Sequence, residues 1–281
     1  MYIESKVAIV TGGANGIGNC TVRQLLKNGA KGVAIIDLPD AGGACAAVEL
    51  QNEFGKERVI FVACDVTKGE DLKESFKKVI ETFGTLDIVV NIAGIMDDAN
   101  WETMVDINYK GVVNGTISAL NSMGKHKGAK GGTIVNMSSI AGLQGNPLAP
   151  IYCGTKHAVL GFTQGLKYFY DKTGICTLTM CPGLTATGMA AKFMASKVHA
   201  MDILDDEMAY REMCTNEYNI FKRINNIVID ITFLLKLLVN SHIFFAIIEL
   251  IEKGENGGIF VCENNQPPYA VVIPDYTTLK V

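Results

Sequence analysis

An apolar strand pattern that runs directly into a glycine-rich turn and then into a helix is the feature that most limits the possible folds. Lys6–Val10 (KVAIV) is apolar and β-branched, TGGANGIG follows it, and apolar residues recur from Ile17 to Asn28 with the period of one helix face. Gly29 is placed to end that helix. Such a junction lets the backbone approach a pyrophosphate at the helix N-terminus. Glycines alone are weak evidence, but this position between a strand and a helix favours a nucleotide site.

Strand and helix patterns continue to alternate after this unit. Further strands are predicted at Gly32–Asp37, Val59–Cys64, Leu86–Val90, Thr133–Met137, Cys176–Cys181 and Gly258–Val261. Further helices are predicted at Ala41–Phe54, Asp71–Phe83, Trp101–Met123, from Ala149 or Pro150 to about Asp171, and at Ala246–Lys253. The alternation predicts an α/β fold, a Rossmann-type doubly wound parallel β-sheet with helices on both faces, in one domain spanning residues 1–281. Ligands of such sheets bind beyond the carboxyl ends of the strands.

Asp37 ends the second predicted strand, about 20 residues after the glycines. A carboxylate there can accept hydrogen bonds from both ribose hydroxyls of an adenosine and would repel a 2′-phosphate. No Arg or Lys lies between Asp37 and Lys56 to bind that phosphate. The position therefore favours NAD over NADP. The alternative, that Asp37 caps the next helix, does not exclude this role.

Charge and cysteine distribution exclude several functional classes. The formal net charge of -4 gives no basic field, so no nucleic-acid partner is expected. The eight cysteines form no CxxC pair, so no metal site is expected. The N-terminal MYIESKVAIV has no basic region followed by an apolar one. We therefore predict no secretory signal, a cytoplasmic location and reduced thiols.

Tyr152 and Lys156 are four residues apart in a predicted helix and so share one face. A free phenol has a pKa near ~10, and a neighbouring ammonium lowers it. Bringing that pKa to ~7 requires roughly 4 kcal/mol, which the lysine and a second positive charge could supply together. Ser138 or Ser139, in the loop before the helix, could donate a hydrogen bond to a substrate oxygen. A Tyr and a Lys at this spacing also occur by chance, so the pair alone decides nothing.

Taken in order, these motifs resemble the short-chain dehydrogenase/reductase family. The matching residues are Thr11–Gly18, Asp65–Val66, Asn91-Ile92-Ala93-Gly94, Asn108, Ser139, Tyr152, Lys156, and Pro182–Gly183 followed by Thr187. Each motif is weak alone, but the ordered set over about residues 1–190 is specific. Within the family the chain is similar to insect alcohol dehydrogenase-like and 15-hydroxyprostaglandin dehydrogenase-like members, which are mostly NAD-linked and act on secondary alcohols.

The resemblance implies a role for each matching residue. Tyr152 would be the general acid/base, and Lys156 would hold the nicotinamide ribose and lower the pKa of the tyrosine. Ser139 would orient the reacting oxygen, and Asn108 would hold a water in the proton relay. The residues implied to bind NAD are Gly12, Asn15, Gly16, Ile17, Gly18, Asp37, Asp65, Val66, Asn91, Ala93, Gly94, Tyr152, Lys156, Pro182, Gly183 and Thr187. Of these, Asp65 and Val66 would bracket the adenine, and Thr187 would bind the carboxamide.

Two positions depart from the family pattern. The chain has Ile92 where the family commonly has a second Asn, but it keeps Asn91 and Gly94, so cofactor binding need not suffer. Prostaglandin-type members carry a Gln shortly before the tyrosine, whereas Ala149 and Pro150 stand here. The sequence therefore does not support a prostaglandin substrate.

The stretch from 185 to 245 is predicted to be a variable lid followed by an atypical insertion. Met189–Glu212 is rich in Met and Ala, which suits apolar ligand contact or ordinary packing. Cys214–Phe245 does not resemble the family, and its apolar part carries Lys236 and other polar residues, so a membrane-spanning helix is not expected. We predict an added helix that enlarges the lid, covers the pocket or joins a subunit interface.

These patterns predict an NAD-dependent oxidoreductase acting on a small apolar secondary alcohol or the matching ketone. The resemblance implies a homodimer or homotetramer assembled through the tyrosine helix. Two alternatives stay open at this point. One is an NADP-linked carbonyl reductase, and the other is a binding protein derived from the family that has little or no turnover.

Overall fold

The computed structural model describes residues 2–183, 185, 187–189, 241–263 and 266–274. Most of the predicted lid and insertion, residues 190–240, lies outside the described residues. Within them, no helix combines the length and apolar character that crossing a membrane requires. No group of three or more His, Cys, Asp or Glu side chains in the same residues is arranged to hold a metal ion.

The described strands form one eight-stranded sheet in the order β3-β2-β1-β4-β5-β6-β7-β8. The strands are β1 Val7–Thr11, β2 Gly32–Asp37, β3 Val59–Ala63, β4 Ile88–Asn91, β5 Gly132–Met137, β6 Ile175–Pro182, β7 Ile259–Cys262 and β8 Tyr269–Val271. The first seven are parallel, and β8 is antiparallel to β7. The predicted doubly wound parallel sheet is confirmed. Strand β8, a three-residue edge strand that is mostly exposed, is not among the predicted strands.

Helices cover both faces of the sheet. They are α1 Gly16–Lys27, α2 Gly43–Phe54, α3 Gly69–Phe83, α4 Trp101–Val105, α5 Val112–Met123, α6 Pro150–Leu166, α7 Tyr170–Thr173 and α8 Ser241–Lys253. One apolar cluster joins the sheet to α1, α2 and α8, and a second joins its other face to α3 and α5. Because both faces are covered, strands such as β1 are buried along their whole length.

Three predicted helices differ from the observed ones. The predicted helix Trp101–Met123 is helical throughout, but a π-helical segment, Asp106–Gly111, interrupts it at the position of Asn108. The helix predicted to reach Asp171 ends earlier, because a 3₁₀ turn at Lys167–Phe169 separates α6 from α7. The last helix includes Ser241–Phe245, which the sequence analysis assigned to the atypical segment, and it buries Ile243.

A buried polar network fixes α5 and α6 against the sheet. Asn136 on β5 accepts a hydrogen bond from Asn91 Nδ2 on β4 at 2.8 Å and donates one to Thr163 Oγ1 on α6 at 3.0 Å. Thr116 Oγ1 on α5 donates to the same Asn136 oxygen at 3.3 Å. These groups are shielded from water, so losing one partner would leave others unsatisfied. The network therefore sets the position of α6, which carries Tyr152.

Candidate active site

The turn between β1 and α1 is built from backbone rather than side chains. Gly12 has a φ of +68°, and a Cβ there would lie 2.8 Å from the Cα of Ala93. A Cβ on Gly18 would collide with the carbonyl oxygen of Gly12. Side chains at these two glycines are therefore excluded, and the main chain of the turn stays open to a ligand.

The N-terminus of α1 faces this turn. Asn15 precedes the helix, and its amide donates to Ala41 O at 2.7 Å rather than capping α1. The first turn of α1, which is wholly described, carries no acidic side chain. Thr187 lies beside it, because a Cβ on Gly16 would be 3.5 Å from the Thr187 methyl group. Ile17 packs beneath against the core. These features suit an anion at the helix N-terminus.

Asp37 joins the end of β2 to the glycine turn. Its Oδ2 accepts a hydrogen bond from Ala14 N at 3.0 Å, and its Oδ1 accepts one from Leu38 N at 2.9 Å. Asp37 thus lies at the carboxyl edge of the sheet, next to the predicted pyrophosphate position. A fixed carboxylate here can accept hydrogen bonds from ribose hydroxyls and repels a phosphate.

Asp65 and Val66 follow β3; Asp65 forms a local hydrogen bond, and Val66 is held by the helical segment that contains Asn114. Asp65 Oδ1 accepts from Thr67 N at 2.9 Å, and Asn114 Nδ2 donates to Val66 O at 2.9 Å. Val66 is buried against Gly111, where a Cβ would lie 2.7 Å from the valine methyl group. The structure therefore brings this predicted adenine-binding pair to the same edge as the glycine turn.

The segment after β4 is tied to β1 and faces the tyrosine helix. Thr11 Oγ1 accepts hydrogen bonds from Ile92 N at 3.1 Å and Ala93 N at 3.3 Å. A Cβ on Gly94 would lie 3.1 Å from Asn108 Oδ1 and 3.7 Å from Lys156 Nζ. The side chain of Ile92 packs against the core, which explains how an apolar residue is accommodated at this position.

Tyr152 and Lys156 share the inner face of α6, with Ser139 opposite them at the end of β5. Lys156 Nζ lies 5.6 Å from the centroid of the Tyr152 ring. Ser139 Oγ accepts from Ala141 N at 3.1 Å and donates to Pro182 O at 3.3 Å, and it lies near enough to Tyr152 to lower the pKa of the phenol. Ser138 is turned away, because its Oγ donates to Lys156 O at 2.8 Å. Of the two serines, Ser139 is therefore the one beside the tyrosine.

The remaining predicted residues lie close to this group. Pro182 ends β6 and supplies the carbonyl that Ser139 contacts, and Gly183 N donates to Cys262 O at 2.9 Å. Asn108 accepts from Ile95 N at 2.8 Å and donates to Ile95 O at 2.8 Å and Thr155 Oγ1 at 3.2 Å. Both amide N–H donors of Asn108 are thus used by protein groups. A relay water at this residue could therefore bind only to the second lone pair of Oδ1 or to the main chain.

Burial controls the electrostatics of the pair. It raises the pKa of Tyr152 to about 12, although the Ser139 hydrogen bond lowers it. Burial likewise lowers the pKa of Lys156 from 10.5 to about 8, while its Nζ donates to Met137 O at 3.1 Å. The protein groups alone therefore move the tyrosine pKa in the direction opposite to the predicted lowering, because desolvation outweighs them. A further positive charge near the phenol is needed, as the sequence analysis required.

Comparison with known proteins decides the family. A family model described as short chain dehydrogenase matches residues 6–197. The chain belongs to the short-chain dehydrogenase family. The resemblance predicted from the ordered motifs is thereby confirmed.

Individual relatives of this short-chain dehydrogenase fall into two groups by name. A protein named 15-hydroxyprostaglandin dehydrogenase (NAD(+)) from Mus musculus is 42% identical over 190 residues, which cover 66% of this chain and 70% of that protein. Its namesake from Homo sapiens is 40% identical over 192 residues, covering 67% and 71%. Alcohol dehydrogenase 2 from Ceratitis cosyra is 30% identical over 282 residues, covering 98% of this chain and 96% of that protein.

Two residues at the short-chain dehydrogenase site were missed by the sequence analysis. Thr11 was quoted within the glycine motif but was given no role, and it bonds the segment after β4. Asp98 contacts the first turn of α6. A sequence signal for such a contact exists, since Ala149 and Pro150 offer no capping side chain at the start of α6. It indicates that an acceptor comes from elsewhere in the fold, but not which one.

The buried lysine predicts a pH-dependent stability. Between pH 8 and 10.5 the unfolded chain holds a proton at Lys156 that the folded protein has released, so the free energy of unfolding rises with pH in this window. Lys156→Met removes this contribution. The wild type becomes more stable as the pH rises, and the variant lacks this increase. We therefore expect the free energy of unfolding of the variant, minus that of the wild type, to fall by about 2 kcal/mol between pH 7 and pH 9.5 in urea titrations.

The matched control is Lys73→Met, whose side chain is 67% exposed in the wild type. It should follow the wild-type pH dependence across the same range. A Lys156→Met protein whose stability runs parallel to the wild type would show that the folded lysine titrates normally.

Proposed function

We propose that this short-chain dehydrogenase transfers a hydride between a small or medium-sized apolar secondary alcohol, or the matching ketone, and NAD. Tyr152 is the general acid/base. The observation that carries the proposal is the convergence of Ser139, Tyr152 and Lys156 at the edge of the sheet where the glycine turn and Asp37 also lie.

The residues at this edge suit NAD. The turn at Gly12 and Gly18 leaves no room for side chains where a pyrophosphate would approach, and Asp37 is fixed beside it. The relatives from Mus musculus and Homo sapiens carry NAD(+) in their names. When bound, oxidised NAD supplies the hydride acceptor and the positive charge of its nicotinamide ring.

The side chains then perform the proton transfer. Tyr152 Oη, as phenolate, takes the hydroxyl proton of the alcohol while the carbinol carbon loses a hydride and becomes a carbonyl. The Ser139 hydroxyl, which donates to Pro182 O in the structure, turns to donate its hydrogen bond to the reacting oxygen and so stabilises the negative charge there. The buried Lys156 ammonium favours the phenolate over the phenol. In ketone reduction the same groups act in the reverse order.

The side chains before the tyrosine support an apolar substrate, and the names of the relatives support an alcohol. Ala149 and Pro150 place no polar group there, and Ala149 is buried. The relatives are named for alcohols and for a hydroxyprostaglandin.

A panel of primary and secondary alcohols of increasing chain length, with a 15-hydroxyprostaglandin included, should be assayed with NAD at alkaline pH. We expect the highest kcat/KM for an apolar secondary alcohol. Preference for the prostaglandin would overturn the substrate class, and inactivity throughout would favour a binding protein.

Removal of the phenol oxygen tests the role of Tyr152. Tyr152→Phe deletes only the hydroxyl group, and general acid/base catalysis contributes about 10²–10⁴-fold to a rate. We expect turnover of the best alcohol to fall at least ~10³-fold. The Kd for NADH, measured by fluorescence titration, should stay within about twofold, because the ring still packs in place.

Tyr168→Phe is the control for this variant. Tyr168 follows α6 and is 79% exposed, so its hydroxyl should not affect turnover. Retention of most of the wild-type rate by Tyr152→Phe would refute the assignment.

Cofactor preference depends on the charge of Asp37. Asp37→Asn keeps an acceptor oxygen for one of the two backbone amides and removes the charge that repels a 2′-phosphate. We expect the ratio of NADPH to NADH Kd values to fall about tenfold, equivalent to ~1.4 kcal/mol. Fluorescence titrations of both reduced cofactors measure it.

Asp40→Asn, at an exposed carboxylate three residues along the chain, should leave that ratio unchanged. Tighter binding of NADPH than NADH by the wild-type protein would instead support an NADP-linked reductase.

A further inference from the structure

Helix α6 begins without an acceptor of its own for its first amide groups. The N-cap residue, Ala149, has no side-chain acceptor, and Pro150 at the first helical position has no N–H. The next two amides, of Ile151 and Tyr152, need acceptors from outside the helix. Asp98 supplies both: its Oδ2 accepts from Ile151 N at 2.9 Å, and its Oδ1 accepts from Tyr152 N at 3.1 Å.

Asp98 makes these bonds from a buried position. It is 5% exposed and lies in a short 3₁₀ turn, Asp98–Asn100, between β4 and α4. Hydrogen bonds to a carboxylate are roughly twice as strong as those between neutral groups, and the positive end of the helix dipole strengthens them further. The contact therefore fixes both the position and the rotation of the first turn of α6.

The same stretch of chain also holds the other end of the tyrosine residue. Tyr152 O accepts from Thr155 Oγ1 at 2.8 Å, and Thr155 Oγ1 accepts from Asn108 Nδ2 at 3.2 Å. Asn108 in turn bonds both main-chain groups of Ile95. The main-chain N–H of Tyr152 is thus held by Asp98, and its carbonyl is held through Asn108, both from residues 95–108.

We propose that Asp98 is a positioning residue for Tyr152, an inference that rests on the proposed function of that tyrosine. Residues 95–108 directly follow Asn91–Gly94, which the family resemblance implies to lie at the cofactor. Asp98 thereby fixes the position of the Tyr152 hydroxyl relative to Asn91–Gly94 and to Ser139. Displacement of the α6 N-terminus by even a fraction of an ångström would misplace the proton acceptor while leaving the glycine turn and Asp37, which lie on other elements, in place.

Two substitutions at Asp98 and one remote control test the proposal. Asp98→Ala removes both acceptors, and Asp98→Asn keeps one acceptor oxygen at nearly the same size. The control, Asp87→Ala, also removes a carboxylate that binds a backbone amide, since Asp87 Oδ2 accepts from Val7 N at 3.0 Å. Val7 begins β1, so this contact lies at the opposite edge of the sheet.

Turnover and binding should separate in these variants. We expect kcat of Asp98→Ala to fall at least ~10-fold, and kcat of Asp98→Asn to fall by less. KM for the alcohol and Kd for NADH should stay within about twofold. Asp87→Ala should lose stability in urea titrations but keep kcat within about twofold. If Asp98→Ala does not fold, the Asp98→Asn variant carries the comparison.

Amide hydrogen exchange provides a readout that does not depend on turnover. Exchange of the amides of residues 151–156 should accelerate in Asp98→Ala and stay unchanged in Asp87→Ala. If this occurs while the wild type oxidises no alcohol, the proposed function fails and the capping contact stands.

Two results would overturn the proposal for Asp98. One is a wild-type kcat in both Asp98 variants. The other is an equal loss of kcat in Asp98→Ala and Asp87→Ala when both variants have lost the same free energy of unfolding, because the effect would then come from stability alone.

Discussion

Covering a parallel sheet on both faces leaves only the strand ends for polar chemistry. In this protein β1 and β4 are buried along their whole length, so a charged side chain within them would have no partner. Every predicted site residue that the structure describes lies at or beyond the carboxyl ends of the strands, or on a helix that faces them. The site is therefore a consequence of the fold: Asp37, Ser139 and Pro182 share an edge because β2, β5 and β6 run in the same direction.

Burial of the residues at this edge also disfavours the charged forms of Tyr152 and Lys156. It raises the pKa of Tyr152 to about 12 and lowers the pKa of Lys156 to about 8, so both side chains resist carrying charge. Each shift amounts to roughly 3 kcal/mol at ~1.4 kcal/mol per pKa unit. A positive charge that arrives with a ligand has its largest effect on such a pair, because the local dielectric is low. The pair therefore suits the proposed function, in which the positive charge comes with the oxidised cofactor.

Sequence patterns predicted most of the fold because its signals are local. Apolar runs rich in β-branched residues located seven parallel strands, and the order of the motifs located the site. What they missed depends on contacts between distant segments. The π-helical segment at Asp106–Gly111 follows from the bonds of Asn108 to Ile95, and the capping of α6 follows from Asp98 more than 50 residues earlier. The pKa of Tyr152 likewise depends on burial, which no spacing reveals.

Two helical segments are irregular, and in both the irregularity is stabilised by distant residues. Helix α6 begins with Ala149 and Pro150, which cannot cap it. The helix over Trp101–Met123 is interrupted by the π-helical segment that contains Asn108. Both irregularities meet at one residue, because Asp98 and Asn108 hold the two ends of the Tyr152 main chain. Local inconsistency that is repaired by distant groups is characteristic of functional sites. A helix with its own cap would be held at its start by its own sequence, whereas the start of α6 is held by the segment that follows β4. Tyr152 and this segment are therefore fixed relative to each other.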